Sequence, residues 1–178
     1  MVDSTSHGRA PHGVRHVPVP PAAQALSTLA RIDYANALLA DVGPAAGDRT
    51  AEQWARAVME DAPADTRQAL TQGWTSLGLQ LGPTRSDGFV LGWPVRHSAP
   101  DIVLLSADPT LGLHGQLLLQ REERTLLMAC FIQLDSNQAR ALWAQAESRH
   151  PEVMHQLLEQ AVSRAALEPD RLTPPVCG

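Results

Sequence analysis

"FVLGWPVRHSAPDIVLLSADPTLGLHGQLLLQREERTLLMACFIQL", residues 89–134, decides the fold. It holds four strand-length apolar runs, FVLGWPVRH, DIVLLSA, LGLHGQLLLQ and RTLLMACFIQL, separated by SAP, DPT and REE. Links this short carry turn chemistry and leave no room for a crossover helix, so consecutive strands lie antiparallel. The stretch predicts a four-strand meander.

Strand alternation then sorts the side chains onto two faces. Trp93, Val95 and His97 share one; Pro94, Arg96 and Ser98 share the other. Arg96 and His97 cannot meet at one substrate without a bulge. Pro94 has no backbone donor, which places its strand at an edge or a bulge. Ser98-Ala99-Pro100 reads as a turn, with Asp101 opening the next strand within reach of Arg96. A surface pair of that kind contributes about 0–1 kcal/mol. His114 shares a face with Gln116 and Gln120 and is expected in solvent. In the last run, Leu126, Met128, Cys130, Ile132 and Leu134 form one face and Leu127, Ala129, Phe131 and Gln133 the other. Both are mainly apolar, whereas a sheet covered on one side alternates with polar residues. The second face needs a cover: the short helices of the fold first, then a second subunit or a ligand.

Outward from the meander, "DSNQARALWAQAESRHPEVMHQLLEQAVSRAAL" is helical by its apolar spacing, with Asp135 or Ser136 as cap. An unbroken rod of that length would run roughly 46 Å, longer than a compact domain of about 40 Å. Pro151 removes a backbone donor mid-way, so a break is expected near residues 148–151, with Ser148 as a second cap. On the other side, "TAEQWARAVMED" opens with a Thr50/Gln53 capping box. "APADTRQALTQGWTSLGLQL" carries Leu70, Trp74, Leu77 and Leu81 as one helical stripe, starting near Pro63. Residues 29–42 mix strand alternation with Ala and Leu, and are taken as the first strand. Residues 1–24, rich in Pro, His, Gly and Ser, are taken as a flexible arm, and 168–178 as a flexible tail.

Bulk properties exclude several classes. With 178 residues the chain makes one domain with a real core. No apolar run approaches the roughly 18–20 residues of a membrane span. The first residues lack an apolar signal core, so a cytoplasmic location is expected. A net charge of −5 with scattered arginines argues against nucleic acid. Neither CxxC nor HExxH occurs among the two cysteines and seven histidines, so no metal or cofactor is expected.

The order of strand, two short helices, antiparallel meander and long C-terminal helix resembles the START-like helix-grip superfamily, also called SRPBCC. The residues carrying the resemblance are Thr50–Leu79 for the helix pair, GWPVRHSAPDIVLLSADP with LHGQLLLQREERTLLMACFIQL for the sheet, and Asn137–Ala165 for the helix. The layout is most similar to actinobacterial members of that group. The resemblance implies an α+β fold over residues 29–166, with a curved antiparallel sheet of about five strands wrapped around the C-terminal helix. Family members usually have six or seven strands, so the implied cavity is shortened or partly open. No catalytic set is shared across the family, and none carries over.

The function expected is therefore non-catalytic binding of an apolar or amphipathic small molecule between sheet and helix. The expected lining is Trp93, His97, Leu104, Leu117, Phe131, Gln133, Trp143 and Met154. One alternative is a cyclase- or dehydratase-like enzyme with His97 as base beside Gln133 or Asp135. Another is an interaction domain whose core is filled by Trp54, Trp74, Trp93 and Trp143. A homodimer is a candidate partner arrangement. Cys130 sits between apolar neighbours, which speaks against a nucleophile.

Overall fold

The computed structural model describes residues 13–43 and 49–168. In chain order these form β1 (Val14–Val17), α1 (Pro21–Gln24), β2 (Tyr34–Asp41), α2 (Ala51–Met59), α3 (Ala64–Ser76), β3 (Leu79–Gln80), β4 (Arg85–Ser86), β5 (Phe89–Val90), β6 (Trp93–Ala99), β7 (Ile102–Pro109), β8 (Leu113–Arg121), β9 (Thr125–Leu134), α4 (Asn137–Ala146) and α5 (His150–Ala166). The fold is α+β. One open antiparallel sheet runs β1-β2-β9-β8-β7-β6-β5-β4, with β3 paired to β7. No helix of the described residues is long and apolar enough to cross a membrane.

The five long strands are those the sequence predicts, but the sheet has nine. The additional β1, β3, β4 and β5 are two to four residues long, too short to show alternation. FVLGWPVRH, expected as one strand, folds back on itself. Leu91 (φ 43°) and Gly92 (φ 86°) make a two-residue hairpin between β5 and β6, the left-handed pair that matches strand twist. Ser98 and Ala99 belong to β6, and Pro100 and Asp101 make the turn instead.

The capping box forms: the Thr50 hydroxyl accepts from Gln53 N, and the Gln53 side chain accepts from Thr50 N. It starts a helix that buries Trp54 and Val58 against the sheet. The Ser136 hydroxyl caps α4 by accepting from Ala139 N at 3.0 Å. The C-terminal rod breaks between Ala146 and His150, as Pro151 predicts. Ser148 is not the second cap, because Arg149 holds that position without a side-chain bond. α5 then packs on β1, β2 and α2.

The cover of the second face comes from an unexpected place. Residues 1–12 of the arm and residues 169–178 of the tail lie outside the described residues. Residues 13–24, however, are ordered structure. β1 pairs with β2 from Val14↔Ala40 to Val17↔Ala37. From there Val17, Val19, Ala23, Leu26, Leu29 and Ile32 lie over Leu104, Leu118, Leu127, Ala129 and Phe131. This strap, not the short helices, covers the outer face, which needs no second subunit for that purpose. Its apolar residues follow neither strand alternation nor the 3.6-residue period of a helix, so neither pattern announces it.

Gln116, only 1% exposed, fastens the strap. Its amide oxygen accepts from Ser27 Oγ (2.8 Å) and Thr28 N (3.1 Å), and its nitrogen donates to Thr28 Oγ1 (2.6 Å). Gln116→Leu strands those partners and is expected to cost about 1–3 kcal/mol. Hydrogen exchange should rise first in residues 26–32; a uniform rise over the chain would show that Gln116 is not a local fastener.

Candidate functional site

The residues that crowd together in GWPVRHSAPDIVLLSADP separate in space. A bulge at Arg96 shifts the register, so Val95 lies opposite Leu105 and His97 opposite Leu104. Paired residues share a face. His97 thus lies on the Leu104 side, away from Trp93, and is exposed. Arg96 pairs with Asp108 at 3.0 Å, Asp101 with Arg121 at 2.8 Å, and Ser98 donates to Glu52 at 2.6 Å. The expected Arg96–Asp101 pair does not form.

The expected lining divides in the same way. Trp93, Leu117, Trp143 and Met154 belong to the core between sheet and helices. Leu104 and Phe131 are buried under the strap. The Gln133 amide accepts from Arg31 N and donates to Asp135, which also meets Arg31 (3.2 Å) and His114 (2.7 Å). His114, expected in solvent, is therefore part of a clasp that holds the end of the strap to β9. Asp33 completes it through Arg31 and Leu134 N, and these bonds pull its carboxyl down to about 2. Gln133 and Asp135 work here as fasteners on the outer side, with the His114 imidazole beside Asp135.

Trp93 and Trp143, 2% and 3% exposed, fill space between sheet and helices. The open space lies beside it. α3 has no fully buried residue; its Leu70, Trp74 and Leu77 pack partly buried against the core, Trp74 edge-on to Trp93 at 5.4 Å, and an open space separates it from α4 and α5. A groove of about 610 Å³ lies between them. Ala69, Leu70, Gly73, Trp74 and Leu77 form one wall; Leu142, Ala146, His150 and Val153 form the other. Asp65, Gln145, Arg149 and Gln156 give it a polar rim. Val153, 39% exposed, is one of two large apolar side chains left in solvent among the described residues. None of the residues expected from the sequence lines this groove. The signal for it was the Leu70/Trp74/Leu77 stripe, which marks an apolar face but not what that face meets.

The helix break builds the groove's second wall. Ending α4 at Ala146 and restarting at His150 turns the His150 ring inward, 5.1 Å from the Trp143 ring and 5.9 Å from Tyr34. Tyr34 and Trp143 are themselves 4.9 Å apart. Burial lowers the His150 imidazole to about 4 and pushes the Cys130 thiol up to about 12. It also raises the Tyr34 phenol to about 12, with Cys130 and Glu147 adding to the effect. These groups are neutral at pH 7. An activated nucleophile is the opposite case. Among the described residues no group of His, Cys, Asp and Glu is arranged to hold a metal ion. The groove has mainly apolar walls, a polar rim, and a volume in the range of small-molecule sites.

No family model, curated protein or solved structure matches the chain.

Proposed function

We propose that the protein binds a largely apolar small molecule in the groove between α3 and the α4–α5 pair, and does not transform it. The observation that carries this reading is the groove of about 610 Å³ between α3 and the α4–α5 pair, walled by partly buried Leu70, Trp74 and Leu77 and by exposed Val153. Apolar walls that are only partly buried gain from an apolar occupant that removes their remaining surface from water. The same reading treats the chain as a member of the helix-grip superfamily, with its ligand space displaced from the filled sheet–helix core to the flank of the C-terminal helices. Support comes from the order of the long elements and the packing of α5 on the sheet. The proposed setting is the cytoplasm.

Gly73 supplies the test. A Cβ added there meets nothing within 4 Å, and the position lines the groove. Gly73→Trp should fill the groove while slightly favouring the helix, since glycine is the poorer helix former. The neutral fluorophore N-phenyl-1-naphthylamine should bind the wild type saturably, and the variant about tenfold or more weakly, a loss of at least about 1.4 kcal/mol. Equal binding by a folded Gly73→Trp would place the probe elsewhere and end this reading.

A further inference from the structure

The two charges on the groove's rim differ in what already meets them. Asp65 on α3 and Arg149 in the break between α4 and α5 both line it. Asp65 stands in the first turn of α3, and its carboxylate accepts from Thr66 N at 2.8 Å. The peptide dipoles favour a negative charge at that end of a helix. Arg149 has no such counterpart. Among the described residues its guanidinium makes neither a hydrogen bond nor an ion pair. Arg31, Arg49, Arg56, Arg96 and Arg121, by contrast, each hold a carboxylate. Gln145 lines the groove four residues before Arg149, and its amide is likewise without a partner among the described residues. The chain between them keeps helical dihedrals at Glu147 (φ −56°, ψ −41°) and reaches Arg149 at φ −92°, ψ −23°. Residues four apart in such a turn are surface neighbours.

The donors decide what can meet them. A guanidinium offers a planar fork of N–H groups and no acceptor, and a glutamine amide adds two more donors. That fork matches the paired oxygens of a carboxylate. Both side chains are exposed, so a charge brought to them stays hydrated on its outer side and avoids the cost of full burial. A bare anion would gain nothing from the apolar walls beneath. We infer that the groove takes an amphipathic carboxylate, its apolar body between the Trp74 and Val153 walls and its head on Arg149 and Gln145 at the rim. This rests on the groove being a ligand site and adds the charge class of the ligand to it.

Three probes with one apolar body and different charge read the head directly: 2-naphthoate, 2-naphthamide and 2-naphthylmethylammonium. Each is titrated at pH 7 by calorimetry or by displacement of N-phenyl-1-naphthylamine. The wild type should bind 2-naphthoate about fivefold more tightly than the amide, the size of a well-formed exposed ion pair, and the ammonium most weakly. Raising the salt from about 20 mM to about 500 mM should shrink that preference, because the pair is open to screening. Arg149→Gln should bring the ratio of 2-naphthoate to 2-naphthamide affinity to about one. Gln145→Glu provides a second readout on α4. It sets a carboxylate four residues before Arg149, the favourable order for a helical ion pair, and so occupies the guanidinium within the protein. The 2-naphthoate preference should vanish there too. A preference that persists in both variants would overturn the inference, as would tightest binding of the ammonium, which would make Asp65 the charge that selects. If the probes bind and Gly73→Trp blocks them while 2-naphthoate is not favoured, the head assignment alone fails. If no probe binds, the groove reading fails and takes this inference with it.

Discussion

Trp54→Ala is expected to lower the stability of the fold by about 3–5 kcal/mol, the range for truncating a large aromatic in a packed core. Trp54 is fully buried on α2, among the largest side chains of the core. It faces the same interior as Val58, Trp93 and Leu158. The Arg49 guanidinium also lies 5.0 Å from the ring centre, a contact worth about 0.5–1 kcal/mol where exposed. The truncation removes both. Urea denaturation of the two proteins measures the difference, with Leu167→Ala as the comparison. Leu167 is exposed near the end of the described chain and its loss should stay within about 0.5 kcal/mol. A Trp54→Ala loss below about 1 kcal/mol would mean that α2 does not anchor the core.

The second large effect is a dependence on acid. His150 has a folded value of about 4 against an ordinary 6.5. Above pH 6.5 both folded and unfolded chains leave it unprotonated, and its contribution is fully present. As pH falls from 6.5 towards 4, the unfolded chain takes up a proton that the folded chain refuses, so stability declines. Below about 4 the loss is complete. A shift of this size corresponds to about 3 kcal/mol. The groups that face this ring or flank it are Tyr34 on β2, Glu147 and Arg149 in the helix break, and Asp65 across the groove. Asp33, with a folded value of about 2, loses its contribution only at lower pH, so the two windows separate. Denaturation midpoints taken from pH 7 to 4.5 should fall in the wild type and fall much less in His150→Phe. Parallel curves for the two proteins would show that His150 takes up its proton in the folded state.

Much of the architecture was legible in the sequence, and for physical reasons. Short links between apolar runs leave only an antiparallel meander. Thr50 with Gln53, and Pro151 within a helical pattern, state their own geometry. What stayed hidden lacked a period. The strap over Phe131 opens on a proline-rich stretch and a four-residue helix, and its apolar residues follow neither strand alternation nor the 3.6-residue helical period. The bulge at Arg96 is a single inserted residue, yet it puts His97 on the Leu104 face instead of the Trp93 face. The groove was hidden for a different reason. A stripe such as Leu70, Trp74 and Leu77 shows that a helix has an apolar face, but only the tertiary placement of α3 decides whether that face meets a neighbour or a ligand.

The central claim is that the groove beside His150 holds a small molecule. Native mass spectrometry of freshly purified protein, wild type and Gly73→Trp side by side, tests it most directly. The account predicts an added mass of a small molecule on the wild type and none on the variant. A wild type that carries nothing, or an adduct that survives in Gly73→Trp, contradicts it.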